Sequence, residues 1–465
     1  MIRNPLPSRT VPEPGVFRST VYASGNLGKN LLWHSTEVAL LFVFTELLGL
    51  PPALAGTLIL VSLAIDAILD PIVGVLTERL RSRFGQYGPL LLIGSPLAAL
   101  SFVGLFALPL LDITQVAVIA GVLIVFRIGY TLIDIPHNAM LARISARSER
   151  RSSIAILRFL FSSLAALTIS VALGSIAVAP DRLSEWGLFL FACTAGAGSW
   201  LVLSLVWCAC RPYDRSPAHS TGRLSLGKIG RAIVDNRQFL LVVGIAAVGS
   251  LSLPLFAKSM LYYSRYLLDD VGFAAYCLTA MVVGQLVALP WWMHVARARE
   301  NKVALRWAHV TLFGVTLLFM ILPADKHIAV ALSFIVGAAA SGVYSIIWAM
   351  IADCVERGQA VTGVRVEATL FALATLVQKA CIGIGAWLFG VGLSLAGHQP
   401  GAPATQALRY TIEAFGMGLP ALGAVVCILL LRYFVVTHED HARSLGLLNR
   451  SPTVDASPPI KSRRR

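Results

Sequence analysis

Two aspartates lie four residues apart in the otherwise apolar stretch AIDAILDPIVG. In a helix, Asp66 and Asp70 would share one face and lie about 6 Å apart along the axis. Two carboxylates this close repel each other unless a cation or a proton lies between them. The spacing therefore predicts a cation-binding site. The alternative is that each acid pairs with Lys or Arg and only holds helices together.

Further polar and ionisable side chains occur in apolar segments, where a charged group costs about 2.5–3.5 kcal/mol on membrane-insertion scales. The stretch GKNLLWHSTEV places Asn30, His34 and Glu37 on one helical face. Side chains of this kind usually face the interior of a helix bundle or a water-filled cavity. The others are Lys29, Arg127, Asp134, Arg158, Lys258 and Lys379.

Four of the charged residues have a structural interpretation. We interpret Arg127 and Lys258 as ion-pair partners of the acids that hold helices together. Glu46 and Asp112 lie near the ends of apolar segments, and we interpret both as interfacial rather than functional.

The composition is that of a polytopic membrane protein. Of 465 residues, 57% are hydrophobic and 13% are charged, which is far too apolar for a soluble protein of this length. Stretches of about 20 apolar residues, enough to cross a hydrocarbon core of ~30 Å, recur along the chain. We predict an all-α membrane protein with transmembrane helices at 24–48, 53–77, 89–110, 114–141, 153–178, 185–209, 238–264, 272–295, 304–323, 327–352, 366–395 and 409–435.

Lys and Arg segregate to one side of these twelve predicted helices. With a cytoplasmic N-terminus, about 29 of them fall inside and about 4 outside. This asymmetry predicts that both termini are cytoplasmic, in the inner membrane of a bacterium. It also explains the net charge of +14 better than nucleic-acid binding does. For Arg79, Arg81, Arg83 and Arg143, two interpretations are equal alternatives: ion pairs that hold the cytoplasmic side of the bundle closed, or simple retention of the loops on that side.

The longest polar interruption separates the sixth and seventh predicted helices and divides the chain into two groups of six. We predict a six-helix bundle with the cation site at 1–210, a basic cytoplasmic loop at 211–237, a second six-helix bundle at 238–436 and a largely disordered cytoplasmic tail at 437–465. The second and eighth helices echo each other, because each has a proline followed by a basic loop. Two six-helix pseudo-repeats are the plan of the major facilitator fold.

Four motifs, in order, resemble those of the glycoside-pentoside-hexuronide:cation symporter family, the melibiose permease-like group. The resemblance extends from about residue 22 to about residue 446, and four motifs in the right order are a far more specific signal than one. The motifs are IDAILDPIVG, RSRFGQYGP, YTLIDIPHNAM and IADCVERGQAVTGVRVEATLFALATLVQKACIGIG.

The resemblance implies a major facilitator fold and a symporter that moves a sugar or glycoside together with Na⁺ or H⁺, with no other cofactor. It implies a cation site formed by Asp66, Asp70, Thr131 and Lys379, the lysine being a charge that competes for the carboxylates. It implies a substrate site formed by Lys29, Asn30, Asp134, Asn138, Arg158 and Tyr344. Asn30 and Asn138 depart from melibiose permease, which has Asp and Trp there, so a galactoside preference does not carry over.

Other functions stay open at this stage. A carrier of lysolipids or other amphiphiles on the same fold is the nearest alternative, and it predicts a mostly apolar pocket. A membrane receptor is less favoured. We do not expect an enzyme, because no nucleophile, base and orienting group occur together. We expect a monomer whose partners are a small-molecule substrate and membrane lipid, with no nucleic acid.

Overall fold

The computed structural model describes residues 15–79, 82, 84–144, 148–177, 181–214, 233–362 and 367–435. Within these ranges, twelve long helices account for most of the chain. They are α1 (Val16–Phe42, continued by a π-helical turn at Val43–Leu47), α2 (Pro52–Arg79), α3 (Gly88–Ala107), α4 (Val116–Ile144), α5 (Ser148–Ala177), α6 (Asp181–Cys210), α7 (Arg237–Tyr266), α8 (Ala274–Arg299), α9 (Asn301–Ile321), α10 (Lys326–Thr362), α11 (Glu367–Leu395) and α12 (Gln406–Glu413, a π-helical turn at Ala414–Gly418, and Leu419–Leu430).

The twelve predicted helices are all present in the described residues. Ten helical segments are long and apolar enough to cross a membrane, and α1 and α5 complete the set. The largest difference in bounds is in α10, predicted to end at 352, which continues to Thr362. Its last turns are polar and helical, and hydropathy alone does not predict a helix that extends beyond the apolar stretch.

The packing of the helices repeats when six is added to each helix number. In the first half α1 packs on α5 and α6, α3 on α4 and α6, and α2 on α4. In the second half α7 packs on α11 and α12, α9 on α10 and α12, and α8 on α10. The two halves meet through α2 with α11, α5 with α8, and α1 with α7. This relation confirms two six-helix pseudo-repeats and the major facilitator fold.

The two halves are joined at the end of the bundle where α1 ends and α2 begins, here called the α1–α2 end. The backbone amide of Ala53 donates to Ser394 Oγ at 2.9 Å, and the Thr45 and Tyr262 hydroxyls lie 2.7 Å apart. A Cβ on Gly390 would lie 2.3 Å from the carbonyl oxygen of Pro52. Glycine at this position therefore lets α2 and α11 approach each other at backbone distance.

The sequence predicts that Glu46 is interfacial, but the structure buries its side chain within this contact. Its side chain and that of His398 are fully buried, with Glu46 Oε1 2.6 Å from His398 Nε2. Tyr266 donates to Glu46 Oε1 at 2.7 Å, and Arg265 Nη1 lies 3.3 Å from Glu46 Oε2. Proximity to a helix end misled the prediction, because the partners come from the other half of the chain. Asp112 lies in an exposed turn, as an interfacial residue would.

Several predicted features lie outside the described residues. These are most of the central loop 211–237, the tail 437–465, and the side chains of Arg79, Arg81, Arg83 and Arg143. The division into domains at these boundaries therefore stays a prediction.

We predict that Glu46→Ala lowers the stability of the protein by about 3 kcal/mol, because it leaves buried polar partners unpaired. Thermal unfolding of the purified protein in detergent measures the effect. Asp112→Asn, at an exposed acid, is the control and should not change the melting temperature. Equal melting temperatures for Glu46→Ala and the control would contradict a structural role for the Glu46 contacts.

Candidate functional site

The four residues of the predicted cation site lie together, and three different helices position them. Lys379 of α11 places its Nζ 2.8 Å from Asp66 Oδ2 and 2.5 Å from Asp70 Oδ2, both on α2. Thr131 of α4 donates its hydroxyl to Asp66 Oδ1 at 2.6 Å. Because α2 and α11 belong to different halves, the lysine joins the halves through the two carboxylates.

This site is deeply buried and carries an excess of negative charge. The Asp66 side chain is fully buried, and that of Asp70 is 13% exposed. Two carboxylates face one ammonium, so the group has a net charge of −1 when all three are ionised. Burial without full compensation is costly. The arrangement can accept a second positive charge, either a proton or a metal cation that prefers hard oxygen ligands.

Two prolines, close to this site in the sequence, each deprive one backbone carbonyl of its helical N–H donor. Pro71 lies inside α2 directly after Asp70, and Pro136 lies inside α4. Because proline has no backbone N–H, the carbonyl four residues earlier loses its helical donor. The affected carbonyls are those of Ala67 and Leu132. In a membrane-spanning helix, such groups are tolerated where they are buried in protein or line a cavity.

Four predicted substrate residues form a second network between α1, α4 and α5. Lys29 Nζ lies 2.5 Å from Asp134 Oδ1 and donates to Asn138 Oδ1 at 3.0 Å. Arg158 donates to the same Asn138 oxygen at 2.5 Å and to Asn26 Oδ1 at 3.0 Å. The network contains charged donors and a carboxylate in fixed positions, which suits the recognition of hydroxyl groups.

The other two predicted substrate residues lie apart from this network. Asn30 donates its side-chain amide to the backbone carbonyl of Asn26, one turn earlier in α1, at 2.8 Å. Tyr344 of α10 is 41% exposed and belongs to the wall of a separate cavity.

A third cluster joins the halves around one carboxylate of α1. Glu37 Oε1 lies 3.4 Å from Arg127 Nη2 of α4, and Glu37 Oε2 lies 2.9 Å from Lys258 Nζ of α7. Lys258 also donates to the Glu37 backbone carbonyl. Arg127 is fully buried, and its Nε donates to Ser62 Oγ at 3.3 Å. The prediction that Arg127 and Lys258 form ion pairs with an acid is confirmed.

A cavity of ≈ 360 Å³ lies between the halves and is lined by α1, α5, α7, α8, α10 and α11. Its wall combines aromatic residues, Trp33 and Tyr344, with the charged pair Glu37 and Lys258. The other polar residues of the wall are His34, Ser162, Ser163, Ser170 and Gln285. Binding sites for small molecules have this mixture of apolar surface and a few placed polar groups. Of the predicted site residues, Tyr344 alone is among the described residues of this wall.

Sequence reasoning missed several residues of these sites, among them Asn26, Trp33 and Gln285. Asn26 fixes the Arg158 guanidinium, and Trp33 and Gln285 belong to the cavity wall. Trp33 lies beside His34 in the polar face of α1, so its position carried a signal. Asn26 and Gln285 had none, because uncharged amides in apolar segments are less conspicuous than charges. In the described residues, no group of three or more His, Cys, Asp or Glu is arranged to hold a metal ion.

We predict that Glu37→Gln destabilises the protein by about 3–5 kcal/mol, because it leaves two buried cations without their counter-charge. Thermal or denaturant unfolding in detergent measures the loss. Asp269→Asn replaces an exposed acid that has a positive φ of 51°, which asparagine tolerates, and it serves as the matched control. If Glu37→Gln unfolds at the wild-type temperature, Arg127 and Lys258 do not depend on this carboxylate.

Comparisons with known proteins agree with this fold. The chain is 26% identical over 432 residues to the uncharacterized symporter YjmB of Bacillus subtilis (strain 168), covering 91% of this chain and 93% of that protein. It is 25% identical over 377 residues to YagG of Escherichia coli (strain K12), a candidate glycoside/cation symporter, with 79% and 80% covered. A crystallised variant of the nucleoside transporter NupG superposes with a TM-score of 0.66 at 13% identity, covering 89% of this chain and 99% of that one.

The sequence model of the family described as "MFS/sugar transport protein" matches residues 21–438. This span includes all twelve helices except the first residues of α1. Members of the family are membrane transporters, not enzymes. The chain therefore belongs to the MFS/sugar transport protein family, the glycoside-pentoside-hexuronide:cation symporters of the major facilitator superfamily.

Proposed function

We propose that the protein is a secondary active transporter that moves a sugar or glycoside together with Na⁺ or H⁺ by alternating access. The observation that carries the proposal is the position of Lys379. Its ammonium group, which belongs to one half, occupies the space between two carboxylates of the other half. A coupling cation that binds these carboxylates has to compete with the lysine, so its binding changes a contact between the halves.

The cation ligands in this proposal are the carboxylates of Asp66 and Asp70 and the hydroxyl of Thr131. When the cation is bound, it takes the place of the Lys379 ammonium between the carboxylates, and the lysine is released. When it leaves, the lysine returns and restores the ion pairs between α2 and α11. The lysine thus keeps the empty site from carrying two uncompensated buried charges, a state that would be strongly disfavoured.

The substrate region has two parts. The network around Asp134 and Arg158 offers charged hydrogen-bond partners for sugar hydroxyls. The cavity offers the aromatic surfaces of Trp33 and Tyr344, against which the apolar face of a sugar ring can pack. Both parts include residues of α1. The network also shares α4 with the cation site, and the cavity shares α11 with it.

Coupling then follows from linkage between the two sites. If the cation raises the affinity for the sugar by some factor, the sugar raises the affinity for the cation by the same factor. The two halves would rock around the central site, as in other transporters built from repeats. With the predicted cytoplasmic termini, the α1–α2 end faces outward, and its contacts belong to a state closed to the outside.

The family described as sugar transport proteins and the name of the E. coli relative support a sugar or glycoside as the substrate. The comparisons do not favour the amphiphile carrier, although most side chains in the cavity wall are apolar. We further propose that the protein acts as a monomer in the inner membrane of a bacterium.

We predict that Asp66→Asn and Asp70→Asn abolish cation-driven uptake, because an amide cannot provide the charge that binds the cation. The measurement is uptake of a panel of labelled mono- and disaccharides into proteoliposomes with an imposed Na⁺ or pH gradient. Asp269→Asn is the matched control, because it removes an exposed acid outside the site. Undiminished cation-driven uptake by either variant, in correctly inserted protein, would exclude this pair as the cation site.

Replacing Lys379, which competes with the cation for the carboxylates, gives an independent prediction. Lys379→Ala should leave cation binding intact or tighter, because the carboxylates lose their internal partner. Accumulation of sugar against a gradient should nevertheless fall. Without Lys379, the two aspartates have no ion-pair partner after the cation leaves, and the empty carrier cannot readily change from one conformation to the other. The two measurements are the cation affinity of the purified protein and sugar accumulation in proteoliposomes. Wild-type accumulation by Lys379→Ala would show that the lysine is structural.

A further inference from the structure

Trp33 contacts both the cation site and the cavity, although it lies outside the four family motifs. The Lys379 ammonium lies over its indole ring, 5.7 Å from the ring centroid. The same indole forms part of the cavity wall. Among the described residues, the cavity wall includes none of Asp66, Asp70 and Lys379. Trp33 therefore provides a direct route of contact from Lys379 to the space between the halves.

Arg127, which belongs to the cluster around Glu37, is a second cation in contact with the indole. The Arg127 guanidinium lies 5.1 Å from the Trp33 ring centroid, and Tyr130 packs against the ring with a centroid separation of 5.0 Å. Arg127 is fixed by Glu37, one helical turn beyond Trp33 on the same face of α1. Of the two cations, Lys379 is the one that has to move when the carboxylates accept another charge.

We infer that Trp33 is a positioning residue that transmits occupancy of the Asp66/Asp70 site to the wall of the cavity. This inference rests on the proposed function. When a cation displaces Lys379 from the carboxylates, the indole loses one of its two cation–π contacts. Its ring is then free to reorient around Arg127 and Tyr130, and the surface presented to a sugar in the cavity changes. Cation binding would thus alter sugar affinity through the Trp33 side chain.

The packing around Lys379 supports the same route. Ile382, three residues further along α11, also forms part of the cavity wall, so a shift of this part of α11 reaches the cavity as well. Thr131, which donates to Asp66, directly follows Tyr130 in α4. The indole is thus in contact with side chains from the two helices that complete the cation site opposite α2.

The test uses the fluorescence of the purified full-length protein, with Na⁺ itself as the probe and a pH titration without Na⁺ as the second arm. We expect the coupling cation to shift the tryptophan emission of the wild type and to change quenching by acrylamide, a neutral probe of indole exposure. Trp33→Phe keeps an aromatic ring in place and should lose both responses. Trp200→Phe is the matched control, because Trp200 is 50% exposed on α6, outside these sites, and it should keep both responses.

Cation binding is measured in parallel on each protein, by ²²Na⁺ binding or by proton uptake. Retention of the full emission response in Trp33→Phe would overturn the inference, as would a wild type that binds the cation without any response. A wild type that binds neither Na⁺ nor protons would overturn the proposed function itself, and the inference with it. Loss of the response in Trp33→Phe with cation binding preserved supports the inference, because a variant that failed to fold would not bind the cation.

Discussion

The ion pairs between Lys379 and two aspartates are the constraint on which the rest of this structure depends. Asp66 and Asp70 carry charge in a region where charge is costly, and the lysine makes their burial tolerable. Because the lysine comes from the other half of the chain, compensation of the charge and contact between the halves are one interaction. Any ligand that changes the charge on the aspartates also changes the contact between α2 and α11.

The other buried charges follow a similar rule. Glu37 is paired with Arg127 of its own half and Lys258 of the other, and Glu46 is paired with Arg265 and His398 of the other half. In both cases a carboxylate of the first half contacts a basic residue of the second, whereas the pair Lys29 and Asp134 lies within the first half. Among the described residues, the interface between the halves therefore contains three ion-pair clusters in addition to the hydrogen bonds and the close α2–α11 packing at the α1–α2 end.

Much of this arrangement is readable from the sequence, for identifiable physical reasons. The twelve helices follow from hydropathy and length, and the pair Asp66 and Asp70 follows from the four-residue helical period. The ends of the helices were less predictable, because the polar extension of α10 leaves no apolar signal. The partner of each acid could not be derived from local spacing, since Lys379 lies more than 300 residues from the aspartates it contacts. For the same reason Glu46 was interpreted as interfacial, and the contact of Trp33 with Lys379 could not be anticipated.

The central claim is that Lys379 and the coupling cation compete for the same two carboxylates. The most direct test is a structure determined in saturating Na⁺, or at a pH at which the site is protonated if Na⁺ does not bind. The account predicts that Lys379 Nζ then lies beyond hydrogen-bonding distance of both Asp66 and Asp70. A cation-bound protein in which the lysine still contacts both carboxylates, as it does at 2.8 and 2.5 Å here, would contradict it.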